Sequence, residues 1–240
     1  MKRPQIVAGK IYHILNRGVD KRVIFPEESD YVRFIHDLYE FNNINHISNV
    51  SYHYNKQKQY IVTGLRYIGK TENQGKREPL VEILAFCLMK NHYHLMIIPK
   101  SDNALSIFMK RLNQGYSRHI NEKYDRSGTL FEGRYKAILI EKEEHFIHLP
   151  YYIHLNPLDY YMPEWRKREI INPLKAIEFL EKYRWSSFPD YVGIKNFSSV
   201  TQREFLGEFF NNPIAYRKAT LEWLQSCDLN SLSDITLEPI

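Results

Sequence analysis

The 240-residue sequence predicts an α+β fold: an antiparallel sheet with helices on one face, followed by a helical C-terminal extension. Three observations carry this expectation. Short apolar runs of strand length alternate with two longer segments whose apolar residues recur at helical spacing. Two of the apolar runs, residues 80–89 and 92–98, are separated only by Lys90 and Asn91, as in a hairpin. Beyond about residue 143 the helical period dominates.

In order, "KIYHILNRG" (10–18) is β-rich, ends at Arg17-Gly18, and reads as a strand. "FPEESDYVRFIHDLYEFN" (25–42) reads as a helix opened by Pro26 and two acids, with Tyr31, Phe34, Ile35, Leu38 and Phe41 on one side. Residues 43–79 break the pattern; they are polar and turn-rich around one strand candidate, "YIVTGLRYIG", and read as a partly mobile insertion. "LVEILAFCLM" (80–89) and "HYHLMII" (92–98) are buried strands. "SDNALSIFMKRLNQGYSRHINEKY" (101–124) is a helix capped by Ser101 or Asp102, with Leu105, Phe108, Met109, Leu112, Tyr116 and Ile120 as its apolar stripe. "RSGTLFEGRYKAILIE" (126–141) starts in a turn and ends as a strand. The order β-α-β-β-α-β is the split β-α-β, ferredoxin-like pattern. "EEHFIHLPYYIHLNP" (143–157) then reads as a broken helix, with Pro150 in the first turn of its second half. Helices at 173–183, "REFLGEFF" and "AYRKATLEWLQ" follow.

Composition bounds the function. Hydrophobic residues at 43% and charged residues at 25% describe an ordinary globular chain. A net charge of +5 suits a polyanionic partner, and 18 tyrosines between basic residues suit stacking on bases. Cys87 and Cys227 make no disulfide framework, which points to a reducing compartment. No segment approaches 18 apolar residues, and residues 1–14 lack a signal-peptide core, so a soluble, intracellular protein is expected.

The unusual stretch is "CLMKNHYHLMIIP" (87–99). On a strand, His92, His94, Met96 and Ile98 share one face, and Tyr93, Leu95 and Ile97 share the other. Two imidazoles about 7 Å apart along a strand either satisfy their nitrogens within the core or converge on one ion. Nothing in the spacing brings Cys87 onto the histidine face. A third ligand is offered by "YYIHLNP" (151–157), where Tyr152 and Asn156 lie four apart on one helical face. Tyr151 points about 140° away from Asn156 and is expected to pack the helix against the sheet. Two imidazoles and an amide holding a metal would polarise a phosphodiester, and a tyrosine hydroxyl could attack it in line.

These residues resemble the REP-associated tyrosine transposases and the related single-tyrosine transposases of the smallest insertion sequences, all HUH endonucleases. The resemblance runs from about residue 10 to 192 and is carried by "YHILNRG", "CLMKNHYHLMIIP", "GTLFEGRYKA", "YYIHLNP" and "YRWSSFPDYVG". It implies a ferredoxin-like fold, a metal site of His92, His94 and Asn156 binding Mg²⁺ or Mn²⁺, and Tyr152 as nucleophile. The implied partner is single-stranded DNA carrying a palindromic hairpin, cut through a 5′-phosphotyrosine link that leaves a free 3′-OH. No membrane partner is implied, and the protein would act at the nucleoid in the cytoplasm as a monomer or homodimer. The alternative is a domesticated hairpin-DNA-binding protein without transposition; a relaxase or replication initiator would usually carry a further domain. On this reading, residues 1–160 form the catalytic domain with the 43–79 insertion, and residues 161–240 form a helical extension packed on it. The insertion and residues 158–182 are both longer than the family pattern. Candidate DNA contacts are Arg17, Lys110, Arg111, Arg118, Arg134 and Lys136, with "GRYKA" placing two cations and an aromatic on a strand beside the site.

Overall fold

The computed structural model describes residues 4–45, 50–55, 60–65, 77–167, 169–210, 212–226, 232 and 234–236. The strands are β1 (Ile11–Arg17), β2 (Val50–Asn55), β3 (Tyr60–Leu65), β4 (Val81–Met89), β5 (His92–Pro99) and β6 (Lys136–Ile140). The helices are α1 (Glu28–Glu40), α2 (Ala104–Lys123), α3 (Glu143–Leu155), α4 (Leu158–Tyr161), α5 (Pro173–Lys182), α6 (Phe188–Tyr191), α7 (Arg203–Phe210) and α8 (Pro213–Ser226). Four strands form one antiparallel sheet in the order β4-β5-β1-β6, as the split β-α-β pattern requires.

The period of two along each strand builds two cores. Tyr12 and Ile14 of β1 and Tyr93, Leu95 and Ile97 of β5 meet Phe34 and Leu38 of α1 and Phe108, Leu112 and Tyr116 of α2. Met96 of β5 and Leu84, Ala85 and Cys87 of β4 meet Leu149, Tyr152 and Ile153 of α3 and the helices that follow. A register shift between Ile83 and Ala85 turns Leu84 and Ala85 to this same side. The two helices of the split unit thus share one face, while α3 and the C-terminal extension cover the other. Gly115 lets α2 approach α1, because a Cβ there would sit 2.6 Å from the Phe41 ring.

The extension also closes the outer edge of the sheet. Leu88 N donates to Trp185 O, Ser187 N to Phe86 O and Gln202 N to Ile83 O. Phe86 N donates to Ser187 Oγ and Ile83 N to Gln202 Oε1, so the edge of β4 is used up internally. His154, fully buried on α3, bonds Tyr216 Oη through Nδ1 and Ser187 Oγ through Nε2, each at 2.7 Å. That bracket ties α3 to α8 and to the edge segment.

Several expectations are corrected. Residues 143–157 are not broken: α3 runs continuously through Pro150. The lost backbone bond costs about 3 kcal/mol. Burying Leu149, Tyr152 and Ile153, all at 0% exposure, outweighs it at about 1.5–3 kcal/mol each. The 43–79 insertion contains two strands, not one: β2 and β3 form a separate antiparallel hairpin. Its expected mobility concerns stretches, 46–49, 56–59 and 66–76, that lie outside the described residues. Its neck is described, and Ile44 N donates to Glu78 O across it. Neither Ser101 nor Asp102 caps α2; Asn103 is the N-cap, and Asp102 instead accepts from Ala8 N. "GRYKA" leads into β6 rather than lying on it, the strand starting at Lys136. Among the described residues no helix is long and apolar enough to cross a membrane.

Candidate active site

The site lies between the α3 face of the sheet and α3 itself. β1 and β5 pair with Leu15 opposite His94 and His13 opposite Met96, so His13, His92 and His94 all point toward α3. His92 and His94 stand edge to face with centroids 5.0 Å apart, and the His94 ring lies 5.8 Å from that of Tyr152. The His13 ring lies near-parallel to that of His94, with centroids 5.1 Å apart, and meets Tyr152 edge-on at 6.0 Å. All four side chains are buried.

Asn156 caps the C-terminal end of α3. Its Nδ2 donates to Tyr152 O at 2.7 Å, which fixes the amide orientation because a carbonyl only accepts. Asn156 Oδ1 therefore faces away from the helix and accepts from Arg166 Nη2 at 3.3 Å. Arg166 comes from the 3₁₀ turn Pro163–Lys167. Asp159 holds it in a two-pronged ion pair, Nε to Oδ1 at 2.8 Å and Nη2 to Oδ2 at 2.7 Å. Its Nη1 is buried without a hydrogen-bond partner, and its guanidinium carbon sits 5.8 Å from the Tyr152 ring centre.

The electrostatics keep the histidines neutral. Burial lowers the pKa of His92 to about 3, helped by the Arg17 and Arg166 charges. It lowers that of His13 to about 4. Burial pushes His94 well below its ordinary value, with His92, His13, Arg166 and Arg17 adding to the effect. Burial raises Tyr152, against which the Arg166 charge pulls it down. Arg166 and Asn156 are near enough to act on the phenol, yet its hydroxyl is buried with no hydrogen bond of ordinary geometry.

The donor set fits a divalent ion held by two imidazoles and an amide oxygen. His92 Nδ1 is engaged by Asn91 Oδ1 at 2.7 Å and His94 Nδ1 by His13 at 2.9 Å, so Nε2 is the atom through which each would hold a metal. Among the described residues no group of three or more His, Cys, Asp or Glu side chains is placed to hold a metal ion. His13 does not supply the third ligand, since both of its nitrogens are engaged. The Asn156 oxygen remains the third donor.

Cys87 lies on the histidine face after all. The two-residue turn at Lys90 and Asn91 pairs Met89 with His92, which places Cys87 directly opposite His94. Its thiol is buried, contacts Met89 S at 3.7 Å, and is pushed well above the ordinary thiol pKa by burial. Tyr151 points away from the site, as the helical phase requires, but packs against Phe210, Tyr216 and Trp223 of the C-terminal helices rather than the sheet.

The basic candidates divide. Lys110 and Arg134 line a groove of about 900 Å³ between α2 and residues 128–135, together with Asn113, Gln114, Ser117 and Tyr135. Arg17 is half-buried opposite His92 at the end of β1, and Lys136 is exposed at the start of β6. Arg118 is exposed and pairs with Glu122 one turn along α2. Arg111 donates to the carbonyls of Asn43 and Ile44, bracing the neck of the insertion.

Sequence reasoning missed His13 and Arg166. His13 was within reach: it is a histidine in an apolar strand that the split β-α-β order sets beside 92–98. Arg166 gave no signal, because it lies in a polar stretch without periodicity.

No curated protein matches the chain. Among solved structures, the chain is similar to a REP-associated tyrosine transposase bound to a REP hairpin. That likeness has a TM-score of 0.50 at 12% identity and covers 82% of this chain and 88% of the other, and it shows the fold. The resemblance seen in the motifs is borne out, for residues 46–156, which include His92, His94, Tyr152 and Asn156, match the family of IS200-like transposases.

Proposed function

We propose that the protein is a divalent-metal-dependent strand transferase that cuts single-stranded DNA beside a hairpin through a 5′-phosphotyrosine. The observation that supports this best is the placement of Tyr152, its hydroxyl buried and unbonded, against His94 and the Arg166 guanidinium. A phenol packed for structure alone would be expected to bond its oxygen.

In the reaction the Tyr152 oxygen attacks the scissile phosphorus, forming a P–O bond as the P–O3′ bond breaks. The phenolic proton ends on the departing 3′-oxygen, which leaves as a free hydroxyl. A divalent ion on His92 Nε2, His94 Nε2 and Asn156 Oδ1, Mg²⁺ or Mn²⁺ by its ligand chemistry, would supply positive charge at the phosphate. Asn156, fixed by the Tyr152 carbonyl, presents its oxygen from the same helical face as the nucleophile. Arg166 supplies a fixed positive charge beside the phenol and a spare donor for a phosphate oxygen. Lys110 and Arg134 would take the DNA backbone along the groove, and the hairpin partner is taken over from the similar structure. Such chemistry belongs in the cytoplasm, at the nucleoid.

The test is incubation with a hairpin oligonucleotide carrying a single-stranded flank, with Mn²⁺ or with EDTA. A covalent adduct on Tyr152, seen by peptide mass spectrometry and absent in EDTA, is the expected result. Tight hairpin binding with no adduct under any metal would favour a domesticated binding protein instead.

A further inference from the structure

We infer that His13 is a positioning residue that sets the tautomer of His94 through a buried relay anchored on the Ile235 carbonyl. The inference rests on the proposed reading of His94 as a metal ligand.

The direction of the relay follows from donor chemistry. His13 Nδ1 lies 2.7 Å from Ile235 O, and a carbonyl only accepts, so the proton is on His13 Nδ1. Among the described residues His13 has no carboxylate partner, and a fully buried imidazole without one is neutral, so its Nε2 carries a lone pair. That nitrogen is 2.9 Å from His94 Nδ1, which must therefore donate. His94 is left with its proton on Nδ1 and its lone pair on Nε2, the form an imidazole needs to ligate through Nε2. The rings are near-coplanar, with a 22° interplanar angle and centroids 5.1 Å apart, so the hydrogen bond lies close to both ring planes and restrains the rotation of His94. His92 obtains the same tautomer locally, from its neighbour Asn91. The two ring orientations are therefore set independently, one by an adjacent residue and one across 81 positions of sequence.

His13 itself is neither ligand nor proton acceptor for the substrate, since both of its nitrogens are consumed. Its effect is exerted through His94, as partners of metal-bound histidines act elsewhere.

The test uses the full chain with ¹⁵N-histidine labelling, His94 being assigned from His94→Gln. In the metal-free wild type, long-range ¹H–¹⁵N spectra should show His94 as the Nδ1–H tautomer. Mn²⁺ affinity, measured by titration calorimetry without DNA, should fall about 10–100-fold in His13→Ala. His13→Gln retains a donor for Ile235 O and an acceptor for His94 Nδ1, and should recover most of that affinity. An Nε2–H tautomer at His94 in the wild type overturns the relay and requires no variant to fold. Unchanged Mn²⁺ affinity in a folded His13→Ala also overturns it. If the wild type binds no Mn²⁺ at all, the metal reading fails instead, and the His94 tautomer still decides the relay.

Discussion

Replacing Tyr152 with phenylalanine should raise stability while abolishing chemistry. The Tyr152 hydroxyl is buried with no hydrogen bond of ordinary geometry, whereas the ring is fully packed between the sheet and α3. An orphaned buried hydroxyl costs about 1–3 kcal/mol, and Tyr152→Phe removes one atom from an otherwise unchanged packing. The nearby Arg166 guanidinium offsets part of that cost, so the lower end, about 1 kcal/mol, is the expected gain. For a chain of this size that amounts to about 2–4 °C in the unfolding midpoint. The comparison is Tyr116→Phe, which deletes a buried hydroxyl donating 2.6 Å to Ile24 O and should cost about 1 kcal/mol. Both variants are measured by differential scanning calorimetry without metal or DNA, beside the wild type, and then assayed for the covalent DNA adduct. Opposite signs, with the adduct lost only in Tyr152→Phe, are expected. A lowered midpoint in Tyr152→Phe would show that the hydroxyl is a structural group. A surviving adduct in that variant would remove it as the nucleophile.

Other outcomes follow from the same geometry. EDTA, or His92→Ala, should abolish cleavage while hairpin affinity in a gel shift changes little; undiminished cleavage in excess EDTA would remove the metal from the mechanism. Arg166→Lys should slow cleavage by about 100-fold with little change in DNA affinity, because a lysine retains the charge but loses the paired donors that Asp159 aligns; an unchanged single-turnover rate would reduce Arg166 to a structural pair. His154 is held neutral, its pKa lowered by burial to about 3 against an unfolded value near 6.5. The unfolded state therefore binds the extra proton, and its stability contribution, complete above pH 6.5, is lost as pH falls toward 3, by up to about 1.4 kcal/mol per pH unit. His154→Gln should flatten urea-derived stability against pH in that window, and an unaltered slope would contradict the assignment. Replacing residues 46–76 with a short Gly/Ser linker should leave folding and cleavage intact, since Ile44 and Glu78 already close the neck; loss of the folded state would make the hairpin part of the core.

The sheet was legible because its strands are short apolar runs bounded by turn residues, and the two long helices because Phe34, Leu38, Phe108 and Leu112 repeat at helical spacing. That His92 and His94 share a strand face, and Tyr152 and Asn156 a helix face, followed from local spacing; that the two faces form one site was implied by the resemblance. What was not legible depended on partners distant in sequence. His13 acquires its meaning from residues 81 and 222 positions away. Arg166 needs the turn that returns it to Asp159, which no periodicity announces. Pro150 was read by its helix-breaking cost, and burial on both sides of α3 reversed the balance. Cys87 was misplaced because the cross-strand register set by a two-residue turn was not followed to its end. The strand at 50–55 was missed although Val50, Tyr52 and Tyr54 alternate with Ser51, His53 and Asn55, because it is short and sits in a polar, turn-rich stretch.

The contact between His13 Nδ1 and Ile235 O also has a consequence in time. At ribosomal speeds the 222 residues separating the two take about 10–40 s to synthesise. From the completion of β5 at Pro99 onward the strands that carry the three histidines can already pair, but the carbonyl that orients His13 does not yet exist. A nascent chain would hold the sheet before it holds the His94 tautomer that the proposed metal site needs. On the proposed chemistry, the order of translation would delay strand cleavage until the segment that carries Ile235 has been made.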